Sequence, residues 1–269
     1  MKSEPCIRKL RHVMALSSAE EAWLARLDAR AQNVEKGTDL VAEGQENGTV
    51  YLMQSGWAVR HRHLADGRRQ IVNFVLPGDW IGLTSVMFSE SDHGVTTITD
   101  SVVSVLEHKD MFQLFQDHPH LGVGIFWTAA QEDAVIAEHL VDVGRRTAYE
   151  RVGHMFLELF LRLQVIGATD GHSFDLPLNQ VALADALGLS QVHVNRTLQR
   201  LRREGLLDVS GRRATILDQA ALERAVEFER TYLHLAGLAP WLRRRFNGGD
   251  PPPRRPDRLG TGSTIPLSD

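Results

Sequence analysis

In the stretch LNQVALADALGLSQVHVNRTLQRLRREGLL, residues 178–207, a small residue and a glycine stand four apart, Ala184 and Gly188, and Ser190 follows two positions later. This spacing leaves few folds open. Asn179 is positioned to cap a short helix over NQVALADALG. A small side chain at 184 lets a second helix cross close by, and Gly188 supplies a left-handed turn at little steric cost. Ser190 then caps the second helix by accepting from the free N–H groups at its start. Leu187, Leu189, Val194, Leu198 and Leu201 supply its apolar side. The spacing predicts a helix-turn-helix. GLLDVSGRRATIL continues it as two short strands joined at Ser210-Gly211, with Arg212 and Arg213 at the tip of a wing.

The second helix, about 190–204, leaves Gln191, His193, Asn195, Arg196 and Gln199 on or near its outward side at the N-terminal end. In this motif that end enters the major groove of double-stranded DNA. The amides of Gln191 and Asn195 donate and accept, which suits base edges, and His193 suits base or phosphate. Ser190, Arg200, Arg203, Arg212 and Arg213 suit phosphates, which position a protein without specifying sequence. A basic helix alone reads as a solvated face. Here the small-residue spacing, the cap, the apolar pattern and the wing coincide, and DNA binding is the expectation.

The whole molecule is no basic coat. Its 269 residues carry a formal net charge of −4, so any nucleic-acid site is a local patch. Hydrophobic residues make up 43%, enough for real cores in two domains. The single cysteine, Cys6, forms no internal disulfide and holds neither a thiolate zinc site nor an iron–sulfur cluster. A reducing, cytoplasmic setting is expected, with no signal peptide, membrane span, metal or cofactor.

Upstream, residues 5–35 read as helix, with Ser17 or Ser18 as N-cap and Trp23, Leu24 and Leu27 at helical spacing. From 36 to 110, glycines punctuate short runs, and Asp66-Gly67 marks a hairpin between WAVRHRHL and RRQIVNFVL. An all-β roll, barrel or sandwich is expected there. From 111 to 166 the chain reads as two helices broken near Gly144. LGVGIFWTAAQEDAVIAEHLVDV is apolar around much of its circumference, so it is buried on more than one side. One side covers the β domain, and a twin chain is the simplest cover for the other; the alternative is a buried helix of a monomer. The carboxylates of QEDAVIAEHLVD read as its polar face. ATDGHSFDLPL reads as a loop, 218–237 as a helix, and NGGDPPPRRPDRLGTGSTIPLSD as a disordered tail.

VALADALGLSQVHVNRTLQRLRREGLL and TVYLMQSGWAVRHRHLADGRRQIVNFVLPGDWIGL together resemble the Crp/Fnr family of bacterial transcription regulators, over roughly residues 10–220. The resemblance implies an α+β fold: an N-terminal double-stranded β-roll (a cyclic-nucleotide-binding-like jelly roll), a long dimerisation helix and a C-terminal winged helix-turn-helix. The corresponding divisions are 1–115 for the sensor roll with its N-terminal helices, 116–146 for the dimerisation helix, 147–240 for the DNA-binding domain and 247–269 for the tail. It also implies a homodimer on a roughly palindromic operator, and RNA polymerase as a partner if the protein activates. Arg196 aligns with the arginine that family members place on a base edge. Where many members carry glutamate, this chain has Val192, which packs on a thymine methyl but accepts nothing from cytosine N4.

Cyclic-nucleotide binders of the family use a Gly-Glu pair for ribose and an Arg-Ser or Arg-Thr pair for the cyclic phosphate. This chain has Gly82-Leu83 and His93-Gly94 at those offsets, so both charged partners are missing. Gly82, Leu83, Thr84, His93 and Thr96 remain the candidates for an effector pocket, with an unknown small molecule as effector. The oxygen-sensing branch needs several cysteines and is excluded. His61 and His63 read as a solvated hairpin rather than haem ligands, His118 and His120 as a polar helix-entry loop, and Trp57, Trp80 and Phe88 as roll core. No HExxH, GxSxG or GxxxxGK motif is present, so an enzyme is not expected. The alternatives are a ligand-binding regulatory module, or an effector-independent regulator whose activity follows its expression level.

Overall fold

The computed structural model describes residues 2–246, so the tail expected over 247–269 lies outside the described residues. The chain divides into Met1–Gly237 and Leu238–Asp269, and the described part of the second unit holds one helix, Pro240–Phe246.

The first unit opens with α1 (Glu4–Val13) and α2 (Ser18–Arg26). Ser17 caps α2 in a reciprocal box with Glu20. Eight strands follow: β1 (Ala31–Val34), β2 (Asp39–Val41), β3 (Thr49–Ser55), β4 (Ala58–His63), β5 (Arg69–Val75), β6 (Trp80–Ile81), β7 (Gly94–Thr97) and β8 (Ser101–Glu107). They form two antiparallel four-stranded sheets, ordered β1-β8-β3-β6 and β2-β7-β4-β5. Leu40, Met53, Ala58, Val75, Ile81, Val95 and Val103 belong to one buried cluster contributed by both sheets. Asp66 and Gly67 stand in the tight turn joining β4 to β5. This is the β-roll expected from the glycine-punctuated runs.

Helices α3 (His108–Asp117), α4 (Pro119–Arg145) and α5 (Ala148–Val165) come next. The break between α4 and α5 falls at Arg146–Thr147, where Thr147 and Glu150 form a capping box. The winged unit comprises β9 (Ser173–Asp175), α6 (Gln180–Leu187), α7 (Gln191–Arg203), β10 (Leu207–Ser210), β11 (Arg213–Ile216) and α8 (Gln219–Ala225). Its core, with Phe156, Phe160, Phe174, Leu183, Val194 and Leu201, continues into Trp57, Val59, Ile71 and Phe74 of the roll. Thus α5 is buried nearly all round from Val152 to Leu161, because it is wrapped on several sides.

Charge also ties α5 to the roll. Arg162 donates to Asn73 Oδ1 (3.0 Å), the Phe74 carbonyl (2.8 Å), Asp79 Oδ2 (3.0 Å) and Glu158 Oε1 (3.1 Å). His139 of α4 has Nδ1 2.9 Å from the Val72 carbonyl and Nε2 2.9 Å from Glu158 Oε2. With acceptors facing both ring nitrogens, the ring is an imidazolium. Burial opposes that charge, but Glu158 overrides it and lifts His139 to about 9. Burial likewise opposes charge on Glu158, and His139 and Arg162 override it, holding its pKa at about 2.

Several expectations are corrected. Residues 31–34 are not helical: they pair with β8 in register Ala31↔Ser104, and Ser104 donates to the Leu27 carbonyl. ATDGHSFDLPL is not all loop, because β9 pairs with β11 as a third wing strand. The 218–237 helix stops at Ala225: Glu227 turns left-handed at φ 51°, and a separate 3-10 turn spans Arg230–Leu233. Phe88 is not core; it follows a 3-10 turn on the roll surface and is 65% exposed. His61 is not solvated; it is 5% exposed, with Nε2 2.7 Å from Thr96 Oγ1. The α4 carboxylates include members engaged with other side chains as well as solvated ones. Glu132 accepts from Arg60 (3.0 Å) and Asn73 (3.1 Å), and buried Asp142 accepts from Arg146 (2.7 Å).

Candidate nucleic-acid interface

Each end of the helix pair is built as its residue types require. Asn179 accepts from the Ala182 N–H at 2.8 Å and Ser190 from the His193 N–H at 3.3 Å. Gly188 sits at φ 62°, ψ 35°, the left-handed cap that ends α6. Ala184 is buried where the helices meet, and Val194, Thr197 and Leu201 form the buried side of α7.

The opposite side of α7 carries Gln191, Val192, Arg196 and Gln199, all exposed; His193 and Asn195 are half-buried. Val192 is 75% exposed, an apolar group in the middle of an otherwise polar surface. Arg196 and Arg212 are exposed and, among the described residues, their side chains make no hydrogen bond or ion pair. The remaining basic residues are more committed. Arg200 Nε donates to Glu204 Oε1 at 2.8 Å, and its guanidinium lies 4.3 Å from the Tyr149 ring centroid. Tyr149 donates to the other Glu204 oxygen at 2.5 Å, and burial together with that carboxylate pushes its pKa up to about 12. Arg213 pairs with Asp170 at 2.6 Å. Arg203 is exposed and adds positive field at Glu204. Of the arginines at this face, Arg196, Arg203 and Arg212 have no hydrogen-bonded or ion-paired side-chain partner among the described residues to give up on meeting an anion or a base.

One contact was not anticipated. Gln180, first residue of α6, and Asn195 exchange two hydrogen bonds of 2.6 Å each. The crossing of the two helices brings them together. The sequence signal was the polar residue directly after the Asn179 cap.

With the geometry in place, two domain families match the chain: a cyclic nucleotide-binding domain over residues 31–118 and a Crp-like helix-turn-helix domain over 150–225. The nitrogen fixation regulation protein FixK of Azorhizobium caulinodans is 33% identical over 190 residues, which are 70% of this chain and 73% of that protein. The chain belongs to the Crp/Fnr family. The transcriptional activator protein FnrL of Cereibacter sphaeroides is 27% identical over 219 residues, 80% of this chain and 88% of that protein. The solved structure of FixK2 from Bradyrhizobium japonicum aligns at a TM-score of 0.65 with 26% identity, over 72% of this chain and 95% of that one. This Crp/Fnr protein is therefore a DNA-binding transcription regulator and not an enzyme.

The sensor side departs from the domain family's name. Gly82 is left-handed and caps the 3-10 turn Leu83–Val86. Leu83 lines a small open cleft, with room for about a water-sized group, between the roll, α4 and α5, together with Lys9, Asn73, Asp79, Thr128, Glu132 and Arg162. Of the five candidate effector residues, Leu83 alone lines that cleft. Thr84 is exposed. Thr96 Oγ1 donates to Asp39 at 2.5 Å and faces His61 Nε2. His93 is buried with Nδ1 2.6 Å from Asp92; burial and then Arg60 push its pKa down, towards the neutral ring. A Cβ on Gly94 would stand 2.7 Å from His61 Cε1, so the His61 ring covers the strand where the family's phosphate pair belongs. These residues do not fit a cyclic nucleotide held by a carboxylate and a guanidinium. Among the described residues no group of three or more His, Cys, Asp or Glu is placed to hold a metal ion, and no helix is long and apolar enough to cross a membrane.

Proposed function

We propose that the protein binds a palindromic operator as a homodimer, with the N-terminal half of α7 in the major groove. The carrying observation is the exposed end of α7, where Gln191, Val192 and the unpaired Arg196 stand together beyond the Ser190 cap. In this reading Arg196 contacts a guanine edge, Gln191 and Asn195 contact neighbouring bases, and Ser190, His193, Gln199, Arg200, Arg203, Arg212 and Arg213 hold phosphate or the groove wall. The divisions at 1–115, 116–146 and 147–240 serve as sensor, dimer and DNA-binding parts.

The dimer is supported by α4. Phe126, Ala130, Asp133, Ala137, Leu140 and Gly144 recur at alternating spacings of four and three and are all exposed. Phe126 is 74% and Leu140 70% exposed. A twin helix covers such a seam in a left-handed coiled coil. RNA polymerase is the further partner we propose, by likeness to the activator FnrL.

A second reading concerns control. The charges around the Leu83 cleft are already paired, Lys9 and Arg162 with Asp79 and Arg60 with Glu132. That favours a regulator with no effector, whose activity follows its amount, over one that binds an unknown small molecule there. The test of the whole reading is selection of bound duplexes from a random pool, with and without cell metabolites. A two-fold-symmetric site with half-sites about 34 Å apart is expected; no enriched sequence contradicts the reading. Enrichment unchanged by metabolites supports effector independence.

A further inference from the structure

Gln180 and Asn195 face each other across the helix crossing. Gln180 Nε2 donates to Asn195 Oδ1 and Asn195 Nδ2 donates to Gln180 Oε1, both at 2.6 Å. Two reciprocal bonds close a ring and hold the two carboxamides together. A primary carboxamide has two N–H donors and two acceptor lone pairs. The ring uses one of each from each residue. Along either free edge of the pair, one residue's second N–H then lies beside the other residue's second lone pair. Exchanging O and N in both amides leaves this pattern unchanged.

A donor beside an acceptor is the complement of adenine in the major groove, which offers N7 as acceptor and N6–H as donor. Guanine offers two acceptors there, N7 and O6, and so leaves one of the two facing a lone pair. An isolated asparagine can pair with adenine through its own oxygen and amino group, but in this chain those two bonds are spent on Gln180. Gln180 is exposed and Asn195 half-buried, so the pair offers an edge that Asn195 alone does not.

We infer that Gln180 and Asn195 act as one composite base reader, with Gln180 as a specificity-determining residue that selects an A·T pair in each half-site. The inference rests on α7 lying in the major groove. It adds to the reading surface a residue from the first helix of the motif.

The test is selection from a random duplex pool at one salt concentration, using wild type, Gln180→Ala, Asn195→Ala and the double variant. Thermal unfolding and affinity for a random duplex serve as controls for folding and phosphate contact. The wild type is expected to prefer adenine over guanine at one fixed half-site position by roughly ten-fold or more. Each single variant loses that preference with random-duplex affinity kept, and the double variant loses no more than either single. A Gln180→Ala protein that keeps the wild-type adenine preference, or loses affinity equally for every duplex, overturns the inference. A wild type that enriches a symmetric site lacking any such adenine overturns it while leaving the groove reading intact. A wild type that enriches no sequence removes both.

Discussion

Arg69 of β5 donates through both Nε and Nη2 to a single oxygen of Asp185 on α6, at 3.0 and 2.8 Å. Beside it, Gln70 donates to the Ala186 carbonyl at 3.3 Å. The first helix of the helix-turn-helix is thus clasped to the β-roll. Both side chains are about a quarter exposed, so the pair contributes up to about 1 kcal/mol. A double-mutant cycle on Arg69→Ala and Asp185→Ala, read by urea unfolding, is expected to give a coupling of roughly 0.5–1 kcal/mol, with faster amide exchange in α6. Zero coupling with unchanged exchange would assign the docking to apolar packing alone.

The buried His139–Glu158 pair sets a pH window. His139 is raised from 6.5 to about 9, so its stabilisation is complete below about 6.5 and lost as pH rises through about 9. Glu158 is lowered from 4.5 to about 2, so its stabilisation is complete above about 4.5 and lost as pH falls through about 2. Both contributions are therefore complete between about 4.5 and 6.5. His139→Leu is expected to cost roughly 3 kcal/mol at pH 6, since Glu158 loses a buried partner. It should also abolish the part of the stability loss between pH 6.5 and 9 that His139 supplies. Denaturant melts of both proteins across that range measure this, and parallel pH curves would exclude it.

The helix-turn-helix was legible in the sequence because its signals are local. Asn179, Gly188 and Ser190 cap and turn the chain within twelve residues, and the structure places each in that role. The Asp66-Gly67 hairpin was legible for the same reason. What escaped depends on partners distant in sequence. β9 is three residues long and exists through its pairing with β11. The burial of His61 follows from Gly94 opposite it on β7, which leaves room for the ring. Arg162, Glu158 and His139 each look like an ordinary helix-surface charge until α4, α5 and β5 are assembled. Gln180 carried a polar signal but no spacing rule that points to Asn195.

The α4 seam gives a direct prediction of oligomeric state. Leu140→Glu places a charge on the apolar stripe of both copies. Analytical ultracentrifugation is expected to show a dimer for the wild type and a predominantly monomeric variant with unchanged helicity. A monomeric wild type at micromolar concentration would contradict the proposed homodimer.

Val192 tests base preference next to Arg196. Val192→Glu introduces an acceptor for cytosine N4 and removes the apolar contact suited to a thymine methyl. The selected half-site should change at one position, by about 1–3 kcal/mol in favour of C·G. An unchanged site would place residue 192 away from the bases.

In the proposed function, α7 reads sequence through Arg196. Its most direct test compares wild type and Arg196→Ala on the selected operator and on a random duplex at one fixed salt concentration. A loss of specificity is expected: operator affinity falls by at least 1 kcal/mol more than random-duplex affinity. Equal losses on the two duplexes would make Arg196 a phosphate contact and exclude base reading by it.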